Sequence, residues 1–512
     1  MELRKPTPHD RRAALDLAPE EFRSLGHALV DEIAGFLASL PERPVTPAAS
    51  PEELRALLPQ GGLPERGAAP DSLLAEAAQL LFDRSLLNGH PRFWGYITSS
   101  AAPIGALADL LAATVNPNVG AEVLSPLATE IEAQTVAWIA EFLGYPSSCG
   151  GLLVSGGNVA NVVCLLAARK ARLPWDVRAG GMSAAGGRAV RIYASTETHT
   201  WLQKAADLSG LGTDSISWIP TDGELRMDVD ALRARLHDDE KAGVLPLALV
   251  GTAGTVSTGA IDPLRELAAL ARERGMWLHV DAAYGGFAAA LPGAPPDLQA
   301  LREADSVAVD PHKWLYAPLE AGCALVRDRA LLRDAFSFHP PYYRFGGEGD
   351  EGPLNYLEYG PQNSRGFRAL KVWLGLRQAG RSGYVRMIAD DIALARDLFH
   401  LAEADLELDA WTTSLSITTF RYRPRDLAEA GAAADAYLDE LNAALLDRLQ
   451  AGGEAFVSNA VVRGRFLLRA CIVNFRTTRA DLEALVATVK RIGRELDNAM
   501  RPQELAGAPS SA

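Results

Sequence analysis

Five short apolar runs punctuate the middle of this chain, at residues 190–194, 247–250, 278–280, 306–309 and 323–326. Runs of this length with little polar alternation suit strands buried on both faces. Helical patterns separate most of them, which predicts an α/β fold: a mainly parallel sheet covered by helices. Such sheets hold ligands at the C-terminal ends of their strands, so the residues just past each run come first.

The run Trp277-Leu278-His279-Val280 ends in Asp281, and Ala282-Ala283-Tyr284-Gly285-Gly286 follow. The small residues leave room for something flat. A carboxylate there suits a partner that must stay protonated, such as a pyridine nitrogen. Taken alone, Asp281 serves equally as an N-cap for the next helix. The run 306–309 ends in Asp310-Pro311-His312-Lys313-Trp314. Boxed by Trp314 and a proline turn, Lys313 is expected to be partly desolvated, which favours the neutral amine that forms an imine. A lone lysine after a strand is ordinarily a surface residue. Its pairing with Asp281 at the ends of successive strands makes it the candidate for covalent chemistry.

Two further stretches belong to the same edge. Gly151-Leu152-Leu153-Val154-Ser155-Gly156-Gly157-Asn158 opens directly into a helix running to about Arg172. Free N–H groups at a helix start bind phosphate, and glycines allow close approach; Ser-Gly-Gly-Asn is also an ordinary turn. No Gly-Lys-Ser/Thr follows, so this is not a Walker loop, and the dinucleotide spacing is missing. The run 190–194 leads to His199, either a hydrogen-bonded helix-start residue or a ring that stacks on a flat cofactor and moves protons.

In this order the pieces resemble the group II pyridoxal-phosphate-dependent decarboxylases, the family of aromatic amino acid and glutamate decarboxylases. The most specific matches are His279-Val280-Asp281-Ala282-Ala283-Tyr284-Gly285 and Pro311-His312-Lys313-Trp314. His90-Pro91-Arg92-Phe93-Trp94-Gly95-Tyr96, Thr252-Ala253-Gly254-Thr255 and the stretch around Arg469 support them, and the likeness runs from about Glu21 to about Leu496. It implies a fold-type I PLP-dependent transferase-like large domain and decarboxylation of an L-amino acid on pyridoxal 5′-phosphate. By resemblance, Lys313 carries the cofactor, Asp281 pairs with its ring nitrogen and His199 covers one ring face. Gly156, Gly157 and Asn158 hold the phosphate; Thr255, Ala283, Asp310 and His312 complete the cofactor site. Loss of CO₂ requires the scissile bond to stand perpendicular to the ring.

The same resemblance places Trp94, Tyr96, Ile97 and Thr98 in the substrate pocket, with residues 118–122 reaching over from a second subunit. That lining favours an aromatic side chain, although Asn118 and Gly120 replace bulkier groups. Tyr342, in a glycine- and acid-rich stretch that reads as a lid or a surface excursion, matches the tyrosine that protonates carbon after CO₂ leaves. It therefore favours amine over aldehyde. Two residues depart from the pattern: Asp310 stands where aromatic decarboxylases commonly have Asn, and Val256 replaces the second Thr of Gly-Thr-Thr. The alternatives are an acidic amino acid decarboxylase, a carbon–carbon lyase of the sphingosine-phosphate type and a catalytically silent homologue.

Length and composition fit this frame. At 512 residues the chain holds several domains, expected at 1–90 (helical, dimerising), 91–381 (cofactor-binding), 382–500 (small α+β) and 501–512 (disordered tail). The first helix, from Pro19 to Leu40, repeats Phe22, Leu25, Leu29, Ile33 and Phe36 at helical spacing. By resemblance its sticky face packs on a partner subunit in a homodimer; a hairpin folded back on its own domain is the other option. A net charge of −14 argues against nucleic acid or an anionic membrane as partner. Residues 101–115 are too short to span a bilayer. Four scattered cysteines without metal-ligand spacing predict no zinc or other metal site, no disulfide framework and a cytoplasmic setting.

Overall fold

The computed structural model describes residues 13–338, 353–427 and 431–505. Its large sheet comprises β1 (Gly150–Val154), β2 (Val190–Ser195), β3 (Ile216–Ile219), β4 (Leu245–Thr252), β5 (Trp277–Asp281), β6 (Ser306–Val309) and β7 (Gly322–Val326). The spatial order is β1-β7-β6-β5-β4-β2-β3. Strands β2 to β6 pair in parallel, whereas β7 is antiparallel to both β6 and β1. Two reversals return β1 to the direction of β6, so the ends of β1, β2, β4, β5 and β6 share one edge.

All five apolar runs are strands, lengthened by up to two residues at an end. Two strands carried no such signal. β1 opens on Gly150-Gly151, weak strand formers, yet glycine is required there: a Cβ on Gly151 would sit 2.8 Å from the Ala324 carbonyl oxygen. β3 is a four-residue edge strand with Trp218 exposed.

Alternating residues feed two cores. Leu153, Tyr193, Leu249, Leu278, Val280 and Val307 enter one, and Leu152, Ile192, Val250, Trp277 and Ala308 enter the other. The period-two geometry of a strand thus puts His279 and Asp281 on the second face, against the helices Gly157–Arg172 and Trp201–Leu208.

A second, antiparallel sheet follows: β8 (Leu408–Ser414), β9 (Ile417–Tyr422), β10 (Ser458–Val462) and β11 (Arg465–Cys471), in the order β10-β11-β9-β8. The helix Ala369–Glu403 packs against both the Pro126–Leu143 helix and β8 and β9, and breaks at Gly380 (φ 64°) beside the expected boundary at 381. The expected disordered tail begins in ordered chain: Arg501 pairs with Asp426 and Asp497, and Gln503–Leu505 form a helical turn. Residues 506–512 lie outside the described residues. Residues 175–187 contain short helical turns at Val177–Gly180 and Met182–Ala185. Ser125, which precedes the Pro126–Leu143 helix, makes no side-chain cap and donates its hydroxyl to the Asn118 carbonyl at 2.8 Å.

At the N-terminus Pro19–Ser39 contacts Pro70–Arg84, with Phe36 stacked on Phe82 at 4.4 Å. Phe22, Val30, Ile33, Leu73 and Leu81 remain exposed, as do Leu107, Leu110 and Leu111 on the Pro103–Val115 helix. Among the described residues no helix is long and apolar enough to cross a membrane.

Among the described residues one ion pair is enclosed completely. Arg365 binds Glu132, donates to the carbonyls of Val119 and Leu153, and lies over the Tyr356 ring. Glu132 also accepts from the Leu153 N–H. Removing one partner strands a buried charge. Glu132→Ala is therefore expected to lower the unfolding free energy by about 3–5 kcal/mol in urea titration; a loss under about 1 kcal/mol would contradict this reading.

Candidate active site

At the shared strand edge the chain encloses a cavity of about 430 Å³. Ile97, Gly156, Gly157, Asn158, His199, Asp281, Ala283, Asp310, His312 and Lys313 all line it. Lys313 rises from the short turn Pro311–Trp314. Its Nζ lies 2.9 Å from Asp310 Oδ2. The amine is thus not isolated among apolar groups, as the proline and tryptophan suggested, but paired with an acid. The same contact accounts for an acid at position 310: it has turned toward a cation.

Asp281 stands at the end of β5 with both oxygens engaged. Oδ2 accepts from the Trp201 indole N–H at 2.8 Å, and Oδ1 from the Ala283 backbone N–H at 3.1 Å. Two directed donors fix the plane of the carboxylate while lone pairs remain for a ligand. His199 Nδ1 accepts from the Trp201 backbone N–H at 3.2 Å. That leaves Nε2 to carry the ring proton. Burial lowers the His199 pKa, partly opposed by the nearby Asp281 carboxylate, so the ring is neutral at neutral pH. Burial likewise lowers His312, whose Nδ1 is 2.7 Å from the Ala321 carbonyl oxygen.

Gly156 adopts φ 100°, in the region that favours glycine. A Cβ on Gly157 would come within 2.6 Å of Asp310 Oδ2. Glycine at both positions thus keeps open the approach to the first turn of the Gly157–Arg172 helix, whose N–H groups lack intrahelical partners.

A hydrogen-bond chain supports that turn from behind. Trp277 Nε1–H donates to Ser306 Oγ (2.8 Å), and the Ser306 hydroxyl to His279 Nδ1 (2.8 Å). His279 Nε2–H then donates to Asn161 Oδ1 (2.6 Å), and Asn161 Nδ2–H to the Gly157 carbonyl (2.8 Å). The Ser306 hydroxyl can donate to Nδ1 only while His279 is neutral, and burial pushes its pKa down to about 4. Because the folded-state pKa lies below the unfolded one, the contribution is present above pH ~6.5 and lost as pH falls toward 4. Between those values the melting temperature of the parent is expected to fall more steeply than that of His279→Gln. Parallel melting curves would refute the assignment.

Four expected residues stand elsewhere. Trp94 is fully buried in the core of the small sheet, its indole donating to Thr477 Oγ1 at 3.0 Å. Tyr96 is exposed, with φ 52°, and neither it nor half-buried Thr98 lines the cavity. Thr255 turns inward, bonding Thr258 (3.2 Å) and the Ala260 N–H (3.1 Å) to close its own turn. Thr252 lines the cavity in its place, and its Oγ1 is buried without a hydrogen-bond partner. Gly120 leaves no extra room either, since a Cβ there would lie 2.2 Å from the Asn363 carbonyl oxygen. Tyr342 lies outside the described residues.

The cavity fits a flat, anionic heterocycle carrying a phosphate. The side-chain-free Gly156 and Gly157 keep the helix start open to a phosphate, Asp281 stands with fixed orientation at one side, and Lys313 supplies an amine. Among the described residues no cluster of metal ligands is present.

Comparison with known proteins agrees with that chemistry. The model of the pyridoxal-dependent decarboxylase conserved domain matches residues 51–423. An aromatic-L-amino-acid decarboxylase of Bacillus atrophaeus is 33% identical over 483 residues, 94% of this chain and 97% of that protein. A tyrosine decarboxylase of Oryza sativa subsp. japonica is 32% identical over 484 residues, 91% of this chain and 89% of that one. The crystal structure of Oryza sativa TDC with PLP and tryptamine aligns with a TM-score of 0.87 at 29% identity, covering 94% of this chain and 100% of the other. With family, fold and strand-edge chemistry in agreement, the chain belongs to the pyridoxal-dependent decarboxylases, enzymes that remove the carboxylate of an amino acid on pyridoxal 5′-phosphate.

Proposed function

We propose that this decarboxylase acts on an aromatic L-amino acid, releases the amine, and works as a homodimer. The observation that carries the site assignment is the meeting of Lys313 and Asp281 at the ends of neighbouring strands around one cavity. When bound, pyridoxal phosphate supplies the electron sink for the pair left behind by CO₂. Lys313 Nζ is the tether, and Asp310 Oδ2 holds it at the cavity floor. Asp281, oriented by Trp201 and Ala283, presents its remaining lone pairs to a protonated ring nitrogen. His199, on the cavity wall, offers a neutral ring with its proton on Nε2. Gly156, Gly157 and Asn158 seat the phosphate at the helix start.

Two features support an aromatic substrate over an acidic one. Among the described residues lining the cavity, Lys313 is the only lysine or arginine, and Glu320 and Asp310 add negative charge. Ile97, Val256, Tyr284 and Leu319 give an apolar wall. The names of the Bacillus atrophaeus and Oryza sativa relatives point the same way. Screening amino acids for CO₂ release, with amine and aldehyde both quantified, tests the reading; preference for glutamate or aspartate over tyrosine, tryptophan or phenylalanine would overturn it. Tyr342 is proposed to return the proton to carbon. Tyr342→Phe should then move product toward aldehyde, and unchanged amine output removes that role.

The dimer is supported by the apolar residues left exposed on Pro19–Ser39 and Pro103–Val115, since contiguous apolar surface of this kind marks an association face. Sedimentation of the full chain as a monomer at assay concentrations would exclude it.

A further inference from the structure

Behind Lys313 lies a carboxyl for which the reaction itself has no use. Asp391, on the Ala369–Glu403 helix, is 2% exposed. Its Oδ2 accepts from both Trp314 Nε1–H (2.9 Å) and Tyr316 O–H (2.6 Å). These residues follow Lys313 by one and three positions, so a single oxygen ties down both aromatic side chains leaving the lysine turn.

The two rings are braced from other sides as well. Trp314 stacks on Tyr284 at 4.9 Å, and the Tyr284 hydroxyl bonds Ser416, between β8 and β9, at 2.7 Å. Tyr316 lies parallel to Tyr384 at 6.5 Å and edge-on to Phe475 at 5.3 Å. It also holds φ 52°, a conformation that bulky residues keep only where their surroundings over-determine it. The Tyr384 hydroxyl donates to the Leu315 carbonyl, within the same turn, at 3.1 Å.

As a folding element Asp391 is a poor choice. Among the described residues no lysine, arginine or histidine pairs with it, and Asp390 beside it has the same sign. A buried carboxylate without a cation costs stability even when hydrogen-bonded. Burial accordingly raises its pKa to about 7, opposed by the donors Tyr316, Trp314 and the Asn474 backbone. An amide would accept the same two hydrogen bonds without burying a charge.

We propose that Asp391 is a positioning residue, which fixes the turn carrying Lys313 by holding Trp314 and Tyr316 on one carboxylate oxygen. The proposal rests on the assignment of Lys313 as cofactor lysine and concerns where that amine stands. Such a role has leverage, because a misplacement of about 1 Å in a reacting group can cost on the order of 100-fold in rate.

The test compares holoenzymes of the parent, Asp391→Leu, Asp391→Asn, Trp314→Phe and Tyr316→Phe. Each is reduced with borohydride and the labelled peptide identified by mass. Each is also assayed, well below its melting temperature, for kcat, KM and the visible absorbance of bound cofactor against pH. Asp391→Leu offers the two rings no acceptor; it should keep its label on Lys313 and hold KM within about twofold. Its kcat should fall by about tenfold or more, with a shifted midpoint in the absorbance titration. Asp391→Asn keeps an oxygen that can accept both bonds and should recover most of the rate. Adding Tyr316→Phe to Asp391→Leu should cost little beyond the single change, since both break one interaction. Parental kcat and absorbance in Asp391→Leu would overturn the proposal, as would a kcat loss that merely tracks a lower melting temperature. If Asp391→Leu does not fold, Tyr316→Phe decides, because it keeps the acid and removes one bond: a parental rate and spectrum would overturn the proposal, and a loss of both would support it. Label absent from Lys313 in the parent would instead overturn the cofactor-lysine assignment, and the proposal with it.

Discussion

Lys313→Ala is expected to reduce kcat by on the order of 10⁴-fold or more, the scale on which enzymes lose their covalent residue. Borohydride should then fix no cofactor, whereas in the parent it should label the peptide holding Lys313. The substitution has a second, separable effect. Asp310 is 2% exposed and loses its cation, so the melting temperature should fall. Adding Asp310→Asn removes the stranded charge and should restore stability without restoring turnover. Recovery of both together would mean that Lys313 acts as a counter-ion and not as the tether. Persistent labelling in Lys313→Ala would place the tether elsewhere.

Asp281 gives the second large effect, and here the side chain chosen matters. Asp281→Ala leaves the buried Trp201 indole N–H without an acceptor, at a cost of about 1–3 kcal/mol. Asp281→Asn keeps one acceptor oxygen, enough for the Trp201 indole, but turns its NH2 toward the Ala283 N–H. The amide is therefore expected to lose less stability than alanine while kcat drops on the order of 10²–10⁴-fold, as when other oriented acids lose their charge. If Asp281→Asn turned over at the parental rate, charge opposite the ring nitrogen would have no part in the reaction. Comparing the two variants separates orientation from electrostatics.

Much of this architecture can be read from local pattern. Strands buried on both faces announce themselves as apolar runs, and the residues that end them fall at one edge once the strands are parallel. Lys313, Asp281, His199 and the Gly156-Gly157-Asn158 turn reach the cavity for that reason alone. What local pattern could not supply was the direction of side chains in turns and the identity of distant partners. Thr252 and Thr255 sit three residues apart in one motif, and only the path of the turn decides that Thr252 faces the cavity. Trp94 meets Thr477 across most of the chain, so its burial under the small sheet has no local signature. Trp201 and Asn161 lie within or beside recognised stretches, but the atoms they hold, on Asp281 and His279, belong to another strand. β1 was hidden by the glycines that let it pack closely.

The division of side chains between the two cores carries a constraint on how this enzyme can evolve. His279 and Asp281 work together only because both occupy odd positions of the same five-residue strand. Gaining or losing one amino acid inside β5 would invert the phase downstream, swinging the acid among leucines and offering valine to the ring nitrogen. Changes of length should therefore collect in the connecting loops, leaving the strand itself free to vary in hydrophobic identity but not in count.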